Sequence, residues 1–266
     1  VEPEGCYVYL AEEIKKVVDI PVTTVGRIFH PDFAEKILQD KKADLIALGR
    51  ALIADPEWPN KASEGRYEDI RRCIGCNLGC HERQCRAVFH HIGEGVSCTV
   101  NAMVGKEGEL EIKPAAKAKE ILIVGGGPAG MEAARVAALR GHKVTLFEKS
   151  DKLGGQLNLA CIAPYKEEIR NINMYLTRQT HKLGVKIYLG KEVTPQLIED
   201  INPDVTILAT GAEPSIPNIP GVERKNVATA WDILNGKKEA GKSVIIIGGG
   251  TVGCETAEHL SKKGMN

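Results

Sequence analysis

The pattern Gly125-x-Gly127-x-x-Gly130 constrains the fold more tightly than any other feature of the chain. It stands between an apolar, β-type run at 121–124 and an alanine-rich helical run at 131–140. A glycine at the first position permits a tight turn. One at the second lets a diphosphate approach bare backbone, and one at the third lets helix and strand pack closely. The helix start, with Pro128 and Ala129, then offers unpaired N–H groups and partial positive charge to that diphosphate. Glu148 closes the next apolar run, 143–148, at 18 residues beyond Gly130, where a carboxylate can accept hydrogen bonds from a ribose diol. Strand, glycines, helix, second strand and terminal acid together predict a parallel α/β sheet that binds a dinucleotide.

Further along, a helix near 167–183 and strands at 185–189 and 204–209 extend the sheet. Two glycine turns, Leu153-Gly-Gly-Gln156 and Ala209-Thr-Gly211, add Gly155, Gln156, Thr210 and Gly211 to the same site. In this order the set points to FAD rather than NAD. The glycine pattern then recurs as Gly248-x-Gly250-x-x-Gly253 behind a predicted strand at 243–247, which makes a nicotinamide nucleotide, NAD(P)H, the second ligand. Cys254 beside it reads as a small buried residue.

Ahead of this domain, apolar residues at helical spacing over 7–19 are followed by a β-type run at 20–25 that ends in Gly26-Arg27. Pro31 opens a helix over 31–39, a strand at 44–48 ends in Gly49-Arg50, and one more helix runs past Pro56 toward Glu64. Short apolar strands alternating with helices predict parallel strands buried on both faces. The polar stretch 106–120, with Pro114, reads as a boundary between domains.

Of eight cysteines, Cys73, Cys76, Cys80, Cys85 and Cys98 fall within 26 residues. The chain starts without a basic and apolar leader, so clustered thiols read as metal ligands in a reducing cytoplasm rather than as disulfides. Cys73-x2-Cys76-x3-Cys80, with Cys98 after 17 residues, offers four soft thiolates, which suit zinc or an iron–sulfur cluster. Structural zinc favours two separated short pairs, whereas this three-plus-one arrangement suits a [4Fe–4S] cube. Cys85 competes for the fourth place, and His81, His90 and His91 are possible substitutes that otherwise read as solvated loop residues. Lys plus Arg equals Asp plus Glu at 35 each, so composition supplies no field for nucleic acid or an anionic membrane. No apolar run approaches the ~20 residues of a membrane span. The expected partner is a small-molecule substrate.

The run Cys73-Ile-Gly-Cys76-Asn-x-x-Cys80 follows Leu48-Gly-Arg-x-Leu-Ile-Ala-Asp-Pro56 and precedes the Gly-Gly-Gly-Pro-Ala-Gly turn. Together these resemble the NADH:flavin oxidoreductases of the old yellow enzyme superfamily that carry an iron–sulfur cluster, of the 2,4-dienoyl-CoA reductase, enoate reductase and trimethylamine dehydrogenase type. The spacing before Cys98 is longer than the family's. The resemblance implies an internal piece of a longer protein. Residues 1–70 would be the last strands of an FMN-binding (β/α)8 barrel, 71–105 the cluster segment and 106–120 a linker. Residues 121–240 would form the FAD-binding domain and 241–266 the start of an NAD(P)-binding domain. Gly26, Arg27, Gly49 and Arg50 would hold the FMN phosphate. The catalytic residues would precede residue 1. Electrons would pass from NAD(P)H through FAD and the cluster to FMN, to reduce an activated C=C bond. The alternatives are an amine dehydrogenase of the trimethylamine dehydrogenase type and, for the isolated piece, a non-catalytic cofactor-binding module. Substrate identity and oligomeric state are not written in these residues.

Overall fold

A computed structural model describes residues 2–90, 93 and 95–266, with His90 described by its backbone alone. The chain divides into two compact units, Val1–Ile112 and Lys113–Asn266.

In the first unit, α1 (Val8–Lys15), β1 (Thr23–Thr24), α2 (Pro31–Gln39), β2 (Leu45–Ile46), α3 (Arg50–Ala54) and α4 (Trp58–Ser63) follow in order. A π-helical turn, Leu78–Glu82, leads into α5 (Arg83–His90). Pro31 opens α2 because the N–H it lacks would have no partner in a first helical turn. Ala34 and Ile37 of that helix join Ile28, Phe29, Ala54, Trp58 and Ile70 in one buried cluster. The Trp58 indole N–H donates to the Phe29 carbonyl at 3.0 Å, so this large ring is buried with its polar edge satisfied.

Three expectations fail here. The strands β1 and β2 pair in parallel, Thr23 with Leu45 and Thr24 with Ile46, but each is two residues long. They are also not buried on both faces, since Leu45 is 55% and Val25 51% exposed. Among the described residues of this unit the two strands have only each other to pair with. The first helix stops at Lys15, well short of Asp19. The single helix expected past Pro56 is two, because Asp55, preceding a proline, is driven into an extended conformation at φ −145°.

The second unit contains β3 (Glu120–Val124), α6 (Pro128–Leu139), β4 (Lys143–Phe147), α7 (Leu157–Ala160), α8 (Ile169–Lys182), β5 (Lys186–Tyr188), α9 (Pro195–Ile201), β6 (Val205–Leu208), α10 (Ala230–Leu234) and α11 (Thr251–Lys262). The strands form one parallel sheet in the order β5-β4-β3-β6. Ile123 pairs with Leu146 on one side and Ile207 on the other. The small residues of α6, with Ala134 fully buried beside Met131, let that helix lie close on Ile123 and Leu146. The chain leaves β3 toward β4 and returns on the opposite side as β6. Such a reversal opens a crevice at the carboxyl ends of the strands, where α/β sheets bind their ligands.

Two helices carry caps that hydrophobic spacing does not announce. Thr194 caps α9 by accepting the Leu197 N–H at 3.3 Å, and Thr229 with Asp232 forms a capping box on α10. The strand expected at 243–247 is absent. Ile245 and Ile247 are 92% and 72% exposed, and Val244 donates instead to the Asn266 carbonyl at 2.7 Å. A strand needs a ladder partner along its length, and none lies beside this segment among the described residues. No helix among the described residues is long and apolar enough to cross a membrane.

Leu146 is fully buried at the centre of the sheet. Leu146→Ala should therefore destabilise the second unit by about 3 kcal/mol, measured as a lower urea midpoint of unfolding.

Candidate cofactor sites

At the first glycine turn the three glycines do different work. Gly125 holds φ +113°, and a Cβ on it would sit 2.3 Å from the Ala209 carbonyl oxygen. A Cβ on Gly130 would sit 1.8 Å from the Gly125 carbonyl oxygen. Nothing lies within 4 Å of the corresponding point on Gly127, which leaves that backbone bare at the start of α6. Pro128 and Ala129 form the exposed first turn of this helix. A bare glycine at the mouth of a 12-residue helix is a cradle for a diphosphate. Gly155, at φ +50°, packs its missing Cβ position 3.1 Å from the Gly127 Cα. Gln156 donates to the Ala212 carbonyl at 3.1 Å, beside Gly211 at φ +73°, and the Thr210 backbone nitrogen adjoins Gly125. Residues singled out from three separate stretches thus surround one turn.

Glu148 is buried, and its carboxylate is already engaged. One oxygen accepts the Gly126 N–H at 2.6 Å and the other the Ser150 N–H at 2.8 Å. Burial pushes its pKa upward, but the N–H groups of Ser150 and Gly126 outweigh this and hold the carboxyl below its ordinary 4.5. The Ser150 side chain adds a further hydrogen bond to the same carboxylate.

The second glycine turn repeats the first. Gly248 holds φ +110°, a Cβ on Gly253 would meet the Gly248 carbonyl oxygen at 2.0 Å, and Gly250 is bare. Cys254 is exposed rather than buried, with its thiol donating to the Gly249 carbonyl at 3.4 Å. The inward face of α11 carries Thr256 and Leu260, and Cys254 lies about 200° around the helix from Thr256.

In the first unit, Cys73, Cys76, Cys80 and Cys98 line one cavity, and Cys85 is outside its lining. Cys85 sits on α5 with its sulfur 3.6 Å from His81 Nδ1. The His90 side chain and His91 lie outside the described residues. What brings Cys98 to the other three is a contact that spacing does not reveal. The Ser97 N–H donates to the Gly79 carbonyl at 2.8 Å, and a Cβ on Gly79 would be 2.5 Å from the Ser97 carbonyl oxygen. The Gly75 N–H donates to Cys73 Sγ at 3.4 Å, and Thr99 Oγ1 lies 3.2 Å from Cys76 Sγ. Burial pushes the Cys73 thiol pKa up, with the Gly75 N–H and the Arg50 charge pulling against it. Among the described residues, no three His, Cys, Asp or Glu groups converge as one metal ion requires. The four thiols line one small cavity, and four soft thiolates are the donor set that a body with one ligand at each corner takes.

Sequence reasoning missed two supports of this loop. Asp55, 4% exposed, accepts the Arg71 N–H at 2.8 Å and Lys61 Nζ at 2.6 Å, with the Glu57 N–H on its other oxygen at 3.1 Å. Asn101 accepts Arg71 Nη1 at 3.0 Å and donates to the Ile53 carbonyl at 3.0 Å. They tie the residues before Cys73 and after Cys98 to α3. Their only sequence signals are an Asp-Pro pair and a Cys-Thr-Val-Asn run.

Gly26, Arg27, Gly49 and Arg50 line a second cavity of about 490 Å³, a size suited to a small ligand. Gly26 and Arg27 take consecutive positive φ values of +133° and +54°, a rare conformation for an arginine. The Arg27 guanidinium lies over the Phe29 ring, 5.4 Å from its centroid.

Residues 6–69 match the NADH:flavin oxidoreductase / NADH oxidase family, and residues 119–266 match the pyridine nucleotide-disulphide oxidoreductase family. The chain belongs to the NADH:flavin oxidoreductases. The first unit contains the end of the family's barrel region, and the second is a Rossmann-like domain for FAD and NAD(P)H. It is 50% identical to an NADH oxidase of Thermoanaerobacter brockii over 98% of this chain and 40% of that protein. Identity to a cinnamate reductase of Clostridium sporogenes is 42%, over 99% of this chain and 38% of that one. The solved structure of 2-naphthoyl-CoA reductase with 2-naphthoyl-CoA superposes with a TM-score of 0.92 at 41% identity, covering 99% of this chain and 39% of the other. The chain thus spans 38–40% of the length of these curated relatives.

Gly79→Ala should cost about 2 kcal/mol and strip protection from the Ser97 amide in hydrogen exchange. Gly108→Ala, where a Cβ meets nothing within 4 Å, should change neither. Because the Glu148 pKa is lower folded than unfolded, its stabilisation is complete above 4.5 and is lost as pH falls through the depressed folded value. Glu148→Gln should therefore flatten the acid limb of the stability–pH curve, measured by urea unfolding from neutral pH downward.

Proposed function

We propose that this chain is the cofactor-bearing part of an NAD(P)H-dependent iron–sulfur flavoprotein that reduces an activated C=C bond of a small-molecule substrate in the cytoplasm. The observation that carries this reading is the cavity walled by Cys73, Cys76, Cys80 and Cys98, in the same unit as the flavin-family region. The names of two relatives, cinnamate reductase and 2-naphthoyl-CoA reductase, support unsaturated acids or their thioesters as the substrate class.

In this reading the barrel end occupies 1–70, the cluster segment 71–105, a linker 106–120, the FAD domain 121–240 and the start of the NAD(P) domain 241–266. Gly125, Gly127 and Gly130 present bare backbone to the FAD diphosphate, and Pro128 and Ala129 open the helix that faces it. Glu148 holds the turn and accepts the ribose. Gly155, Gln156, Thr210 and Gly211 close the site from two other loops. Gly248, Gly250 and Gly253 do the same for the nicotinamide nucleotide. Arg27 and Arg50, with Gly26 and Gly49, bind the FMN phosphate through guanidinium and backbone N–H donors. The four thiolates anchor a [4Fe–4S] cluster, with Gly75 donating to one sulfur. When bound, these groups supply two-electron exchange with NAD(P)H, one-electron relay and hydride delivery to the C=C bond. The matched geometry of the two glycine turns favours this over an amine dehydrogenase, which needs no nicotinamide site.

The full-length protein, purified anaerobically, should contain about four iron atoms per chain together with both FMN and FAD. NADH or NADPH should bleach the flavins, and a cinnamate-type enoate should restore their colour. Zinc in place of iron, or flavins inert to both nucleotides, would sink the reading.

A further inference from the structure

Two cavities of the first unit share a wall. One is lined by the four thiols, the other by Gly26, Arg27 and Gly49, and Arg50 and Asn77 line both. The two side chains are joined, Arg50 Nη1 donating to Asn77 Oδ1 at 2.7 Å. Asn77 follows Cys76 directly, and Gly75, whose N–H donates to Cys73 Sγ, lines the second cavity. The cysteine loop is therefore itself the partition.

Asn77 holds φ +58°, in the left-handed region. Glycine would adopt that conformation at no steric cost, so the backbone does not demand an asparagine. What asparagine adds is an amide oxygen that a guanidinium can find. A guanidinium has five N–H donors in a rigid fork, and one spent on Asn77 leaves others to grip phosphate oxygens.

We propose that Asn77 is a positioning residue that couples the two sites, holding Arg50 toward a phosphate in the second cavity when the cysteine loop is tied down by its cluster. The inference rests on the proposed function, in which the thiol cavity takes the iron–sulfur cluster and the second cavity the FMN phosphate. Cysteines bound to a cluster fix the loop, the fixed loop fixes Asn77, and Asn77 fixes the guanidinium. Linkage makes the effect reciprocal: bound FMN favours the clustered loop by the same factor.

The test uses the full-length protein, stripped of FMN, with its cluster intact or removed by chelation. FMN affinity is measured by equilibrium dialysis, with FMN separated from FAD by chromatography. Wild-type protein should bind FMN about tenfold more tightly when the cluster is present. Asn77→Gly, which keeps the backbone conformation and deletes only the amide, should bind equally in both forms. Asn77→Asp, which keeps an acceptor for Arg50, should retain the difference, and it carries the test alone if the glycine variant does not load its cluster. Wild-type affinity indifferent to the cluster would overturn the coupling and leave the cofactor reading standing. The coupling is overturned in the same way if Asn77→Gly keeps the full difference or Asn77→Asp loses it. A wild-type protein isolated without iron or without FMN would overturn both.

Discussion

The Cα of Gly130 lies so close to the Gly125 carbonyl that a methyl group there would overlap the oxygen, at 1.8 Å. This approach lets α6 start immediately after β3 and lie along the sheet, with Met131 and Ala134 sealed against Ile123 and Leu146. It also sets where the loops from β4 and β6 can go. Gly155 can lie against Gly127 because Gly155 itself has no side chain, and Ala209 can reach Gly125 because Gly125 has none. The crevice is therefore a by-product of close packing, and its emptiness at Gly127 is structural. The recurrence of the contact at Gly253 and Gly248, at 2.0 Å, means that one steric solution serves both turns of this unit.

Signals confined to a few neighbouring residues are legible in the sequence. The helix over 31–39 is placed to the residue because a proline at its start and inward apolar positions are local facts. The strand, glycine and helix order around Gly125 is equally local, as is the terminal Glu148. The failures share a different cause. The strands of the first unit and the segment 243–247 have β-type residues, but a strand exists only beside another strand, and pairing is a property of distant chain. Cys254 turns out exposed because its neighbours in sequence give no account of which face of α11 turns inward. The choice between Cys85 and Cys98 depends on Gly79 meeting Ser97, a contact across 18 positions that no spacing rule encodes.

The thiol cavity shows how polar buried groups can brace a loop with little regular structure. Asp55 takes hydrogen bonds from two backbone N–H groups and a lysine, which satisfies a carboxylate that would otherwise be costly to bury. Asn101 does similar work from the other end of the loop. Between them the residues before Cys73 and after Cys98 are held to the short helix that begins at Arg50. The frame thus fixes the two ends of the cysteine loop. The same helix supplies the guanidinium shared with the neighbouring cavity.

Glu148 follows β4 directly, at the carboxyl end of the strand, where its carboxylate is buried. Here the same carboxylate fastens Gly126 to Ser150 from beneath the turn. The shape of the turn therefore hangs on one side chain. Any replacement at this position must supply Gly126 with a substitute acceptor, or the turn will no longer have its shape.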